Sequence, residues 1–304
     1  MDFGKILKNA WEVIWTHKVI LWFGSLMAVP SIIMGLIMGV FFFFFNEENF
    51  PFFFNSYAPR PDNILPFAIV FLILFLVFII FSYLMMALSF VGVLKGTIDL
   101  EKREDTVSFT ELWSATRPYL GRVFGVFFLV FFSIFAFFGV IIFAGAIFGA
   151  VTAGLGFICL MPFFLLILPL ELLAYIFASL SMTAVIAEDL GVFDAIQRGW
   201  QVFKEKFWTL VLMGIILIFI QIALNMVIML PLQVAEFAFF FSVDMNSAFS
   251  DPREFFKVFA IIMAIVIPLT SLVQALGLSY ANATWMLTYL KITLPSPNLK
   301  VEQE

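Results

Sequence analysis

The chain reads as an all-α integral membrane protein of about six transmembrane helices, in three repeats of an interfacial amphipathic helix plus a transmembrane hairpin. Three observations predict this: a composition too apolar for a water-soluble fold, six long apolar runs, and three amphipathic stretches placed just before alternate runs. The 304 residues are 63% hydrophobic and only 12% charged, with a mean hydropathy of +1.11. A soluble domain carries about twice that charged share, so lipid must act as the solvent. The net charge of −5 argues against a nucleic-acid partner, which calls for a basic footprint.

A bilayer demands about 20 consecutive apolar residues of a helix. Six runs meet this, at about 19–45, 66–94, 123–143, 157–187, 207–233 and 258–290. The fourth follows a break rich in glycine (Gly149, Gly154, Gly156). If the N-terminus is cytoplasmic, thirteen of the sixteen basic residues fall in inside segments, leaving only Arg60, Arg253 and Lys257 outside. The positive-inside rule therefore places both termini in the cytoplasm and the chain in the plasma membrane. No cleavable signal peptide is evident.

Ahead of the first run, apolar residues recur at Phe3, Ile6, Leu7, Ala10, Trp11 and Ile14, the spacing of an amphipathic helix. A second such stretch opens at Ser108, where Ser108 and Glu111 form a capping box. Pro118 is expected to shorten or bend it. The third follows Gly191, with Val192, Phe193, Ile196, Trp200, Phe203 and Phe207 on one side. Residues 1–290 thus form one polytopic domain with repeats at about 2–94, 108–187 and 191–290, followed by a short tail, 291–304. The outer loops, about 46–65 and 235–257, are too small to be ectodomains.

The segment from Gly191 to Trp208, preceded by Glu188, resembles an element of the glycerophosphoryl diester phosphodiesterase membrane-domain family. Ala195, Arg198, Trp200, Lys204 and Trp208 carry the match. The resemblance implies a standalone multi-pass membrane domain. Some members are fused to a catalytic barrel, but this chain has none of the paired histidines and clustered carboxylates such chemistry needs.

Glu171 lies midway along the fourth run, with Tyr175 and Ser179 on the same helix face at i+4 and i+8. An intramembrane carboxyl points to a proton, cation or headgroup site, or to a neutral hydrogen bond between helices. Gln221 and Asn225 form an i, i+4 pair on the fifth run, and Gln274 lies near Pro268 on the sixth. They read as packing glue or as the lining of a polar cavity. Gly35 and Gly39 form a GxxxG pair, and Gly145, Gly149 and Ala153 a small-residue ladder. Close helix contact is the first reading of these, and association with a second copy or another membrane protein the second. Arg198, Lys204 and Lys206 are candidate headgroup contacts at the cytoplasmic leaflet, against a plain positive-inside anchor.

The single His17 rules out a multi-histidine metal site, and the single Cys159 rules out an internal disulfide. No nucleotide loop, HExxH, GxSxG or CxxC occurs, so no enzyme activity and no cofactor are expected. The first expectation is a non-enzymatic protein that interacts with lipid or organises the membrane. A small-solute or ion transporter or channel using Glu171 comes second, and an intramembrane lipid-modifying enzyme third.

Overall fold

A computed structural model describes residues 1–44, 61–102, 108–152, 155–242 and 252–293. Residues 46–60 and 243–251 of the two outer loops, Ala153 of the small-residue ladder and the tail beyond 293 lie outside the described residues. All regular elements among the described residues are helical: α1 (Phe3–Thr16), α2 (Lys18–Ser25), a 3-10 turn (Leu26–Ala28), α3 (Val29–Phe43), α4 (Pro61–Lys102), α5 (Phe109–Val151), α6 (Leu155–Ala187), α7 (Val192–Glu205), α8 (Phe207–Ser242) and α9 (Pro252–Thr293). Six stretches are long and apolar enough to cross a membrane: Lys18–Phe43, Ile69–Glu101, Phe109–Val151, Pro169–Ala187, Phe207–Pro231 and Phe259–Thr293. The chain is an all-α, multi-pass membrane protein.

The helix ends follow local chemistry. Asp2 caps α1 by accepting from the Lys5 N–H at 3.0 Å. The Ser108–Glu111 capping box is formed in both directions, with the Glu111 N–H on Ser108 Oγ at 3.3 Å and the Ser108 N–H on Glu111 Oε2 at 3.2 Å. α1 gives way to α2 at His17 (φ −108°, ψ 84°), and α7 to α8 at Lys206 (φ −124°, ψ 27°). The second amphipathic stretch differs from expectation, because α5 continues through Pro118 into its membrane span. Proline removes a single backbone donor, and the remaining bonds of a 43-residue helix carry the turn across it.

By its contacts the chain divides into two compact units. The first holds Met1–Ile20, Val91–Ile218 and Tyr280–Glu304; the second holds Leu21–Phe90 and Phe219–Ser279. In the first unit α1 buries Ile6, Ala10 and Ile14, the start of α5 buries Leu112 and Thr116, and α7 buries Ala195, Gly199 and Phe203. Each follows a four-residue stride, with a small residue, Ala10 or Gly199, at its centre in α1 and α7. α1 rests on α9, where the Tyr280 hydroxyl donates to the Leu7 carbonyl at 3.2 Å and its ring meets Trp11 at 5.8 Å. Leu112 of α5 lies beside Gly96 of α4, and Gly199 of α7 beside Ser181 of α6. Each leading segment therefore rests on the closing helix of the preceding hairpin, and the first rests on the last.

In the second unit the Gly35–Gly39 pair brings α3 against α9. A methyl group at Gly35 would lie 2.9 Å from the Met263 carbonyl, and one at Gly39 3.0 Å from that of Ala260. The GxxxG seam is thus used within the chain, as small residues allow backbones to approach. Ser89 Oγ donates to the Gly24 carbonyl at 3.0 Å, tying α4 to α2.

Candidate functional site

The loop between α6 and α7 is held by two arginines. Arg198 Nε donates to both oxygens of Glu188, at 3.0 and 3.1 Å, and its Nη1 donates to Gln201 Oε1 at 3.2 Å. The Tyr289 hydroxyl, on the fully buried Tyr289 side chain, donates to Glu188 Oε1 at 2.7 Å. The Glu188 hydrogen bond raises the Arg198 pKa above its ordinary value, outweighing the opposing effect of burial. Asp189 takes a left-handed conformation (φ 53°). Arg122 pairs with its carboxylate at 2.9 Å and donates to the carbonyls of Asp189 and Leu190 at 3.1 and 3.2 Å. These bonds offset the strain of a non-glycine residue at positive φ.

Arg198, one of the three candidate headgroup contacts, is therefore ion-paired to Glu188 within the chain through Nε. Lys204 and Lys206 are exposed and have no acidic partner among the described residues. The Lys204 ammonium lies 5.6 Å from the Trp200 ring centre. At the start of α7 Phe193 is 78% exposed and in α8 Trp208 is 79% exposed, so the helix and its junction carry outward aromatic surface as well as two cations without acidic partners among the described residues. The same pairing recurs on α5, where Arg117 lies 5.9 Å from the Trp113 ring. On α1 the outward residues are Trp11 and Trp15, with ring centres 5.4 Å apart.

The six intramembrane polar candidates divide between the units, with Glu171, Tyr175 and Ser179 in the first and Gln221, Asn225 and Gln274 in the second. Glu171 is exposed, Tyr175 partly buried and Ser179 buried. The three share a face, but among the side chains described from Pro169 on, burial in α6 begins at Ile176, and Glu171 is exposed. Periodicity gives the face; it does not give how burial changes along the helix. Counting from Ala187 at about 1.5 Å per residue, Glu171 lies roughly 24 Å along the helix, nearer one edge of a ~30 Å hydrocarbon layer than its centre. Glu171→Leu is accordingly expected to change the unfolding free energy in detergent by less than about 0.5 kcal/mol. A loss of ~2 kcal/mol, the upper scale of an interhelical hydrogen bond, would show that the carboxyl is bonded.

Deeper in the first unit the Tyr175 ring meets Trp285 edge-on at 6.4 Å. Ser179 Oγ, Trp285 Nε1 and Thr288 Oγ1 are buried without a hydrogen-bond partner among the described residues. In the second unit Asn225 Nδ2 donates to the Gln221 carbonyl of its own helix at 2.8 Å, and Asn225 makes no bond to another helix among the described residues. The Gln221 amide lies against Gly277 of α9. Gln274 lines a cavity of about 390 Å³ formed by the α2–α3 turn, α4 and α9.

Sequence reasoning missed Tyr289 and the Arg122 grip on the loop. Tyr289 is 101 residues from Glu188, and no local pattern marks the pair. Compared with known proteins, the chain matches no family model, no curated protein and no solved structure.

Proposed function

We propose that the chain is a non-enzymatic protein of the plasma membrane, with both termini cytoplasmic, that binds anionic lipid headgroups and organises lipid around it. The observation that carries this reading is the outward surface at the end of α7 and its junction with α8. Lys204 and Lys206 stand there without acidic partners among the described residues, between exposed Trp200 and Trp208 in sequence. Aromatic rings at the headgroup level and cations facing anionic lipid are what an interfacial amphipathic helix provides. The orientation draws support from how the basic residues divide. The thirteen assigned to the cytoplasmic side all belong to the first unit, and Arg60, Arg253 and Lys257 to the second. The resemblance to the glycerophosphoryl diester phosphodiesterase membrane-domain family agrees with a multi-pass membrane domain that meets lipid. The transporter alternative rests on an enclosed Glu171, and an exposed carboxyl lends it no support.

The test is lipid selectivity after reconstitution in phosphatidylcholine at low ionic strength. Brominated phosphatidylglycerol should quench tryptophan fluorescence more strongly than brominated phosphatidylcholine. Lys204→Gln with Lys206→Gln should remove at least half of that excess, as each cation near the surface contributes about 1 kcal/mol. Equal quenching by both lipids in the unmodified protein would sink the reading.

A further inference from the structure

The cavity in the second unit has a chemistry of its own. Its walls include Met27 and Met34 from the α2–α3 turn and α3, Met86 from α4, and Ile267 from α9. Its polar groups are the hydroxyls of Ser31, Ser82 and Ser271 and the Gln274 amide, and among the described residues no charged one lines it. Two helix irregularities border the space. The 3-10 turn at Leu26–Ala28, followed by Pro30, interrupts the first span. Pro268 interrupts the backbone bonding of α9, and Thr270 and Ser271 donate their hydroxyls to the Ile267 carbonyl at 3.0 and 2.8 Å. Ser82 likewise donates to the Phe78 carbonyl at 2.8 Å. The hydrogens of Ser82 and Ser271 are therefore committed to their own helices. Gln274 is exposed, at the open rim of the cavity, and has no hydrogen-bond partner among the described residues.

We propose that this cavity binds one uncharged single-chain lipid, with its hydroxyl or ester carbonyl on the Gln274 amide and its chain among the three methionines. A primary amide both donates and accepts, which matches a hydroxyl or ester. A carboxylate, sulfate or ammonium would enter without a counter-charge, which a low-dielectric site penalises heavily. The volume lies at the small end of ligand pockets, so it suits one chain and not two. Methionine walls adapt to a flexible chain without fixing its length. The inference deepens the lipid-contact reading and rests on it, but it uses residues separate from Lys204 and Lys206.

The probe is a monoacylglycerol carrying a diazirine in its chain, photolysed with the full-length protein in phosphatidylcholine nanodiscs and mapped by peptide mass spectrometry. Adducts should concentrate on Met27, Met34 and Met86. A tenfold excess of unlabelled monooleoylglycerol should reduce them about tenfold, and an alkyl sulfate of equal chain length less than twofold. Gln274→Leu should weaken that competition about tenfold, and Met34→Trp, which fills the space, should remove the adducts. Adducts spread evenly over outward residues such as Phe71 and Leu74 would overturn the proposal. So would displacement by the alkyl sulfate as effective as by the neutral lipid. Should Met34→Trp fail to fold, Gln274→Leu decides alone, and unchanged competition in that variant is the overturning result. Absent adducts with the phosphatidylglycerol preference intact would remove the cavity and leave the headgroup reading in place.

Discussion

Replacing Glu188 by alanine is expected to destabilise the protein by about 3 kcal/mol, among the largest effects of any single polar substitution in the chain. The Glu188 carboxylate accepts from both Arg198 and Tyr289, and hydrogen bonds to charged groups contribute roughly 1.5–3 kcal/mol each. Both partners are themselves restrained, Arg198 by Gln201 and Tyr289 by full burial. The Arg198–Glu188 side chains are about one-third exposed, so solvent screening holds the total below the sum of two ideal bonds. Tyr289→Phe alone should cost about 1 kcal/mol. In the Glu188→Ala background the same change should cost nothing or restore stability, because it removes a buried hydroxyl that has lost its acceptor. Thermal or denaturant unfolding in detergent closes this cycle. Additive losses would mean that the tyrosine and the carboxylate act independently.

Gly199→Leu is expected to have an effect of similar size through packing. A methyl group at Gly199 would lie 3.0 Å from both the backbone N and Cα of Ser181. Backbone cannot rotate aside as a side chain can, so α7 must lift from α6, and overpacking of this kind costs about 1–3 kcal/mol or more. The control is Gly121→Ala. Nothing stands within 4 Å of that position, so the change should stabilise α5 by up to about 1 kcal/mol through helix propensity alone. Opposite signs at two helical glycines would confirm that contact, not backbone conformation, sets the effect at Gly199. A tolerated leucine at Gly199 would refute the packing of α7 on Ser181.

Much of the fold was legible in the residues because bilayer physics makes demands that composition and periodicity report directly. A spanning helix must satisfy its own backbone and present apolar side chains, so six apolar runs translate into six spans among the described residues, although the third is Phe109–Val151 and not 123–143, because α5 continues through Pro118. The Ser108–Glu111 cap is local, three residues across, and was readable for the same reason. Spacing gave the buried Ile6, Ala10 and Ile14 of α1, but in α7 the buried residues are Ala195, Gly199, Val202 and Phe203, while Phe193 and Trp200 of the expected apolar stripe face outward.

What only the tertiary structure decided concerns partners distant in sequence. Arg198 reads as a free cation until Glu188 folds back on it, and Tyr289 has no local signal because its partner comes from another hairpin. Glu171 reads as a central buried carboxyl because periodicity assigns a face; only neighbouring helices determine where along that face solvent or lipid is shut out. The Gly35–Gly39 seam could have joined two chains, but α9 of the same chain fills it. The cavity around Gln274 is a consequence of three helices meeting near two irregularities, and no one segment encodes it. Short-range hydrogen bonding and the hydrophobic period belong to the chain itself, whereas burial, pairing and empty volume are properties of what packs against it.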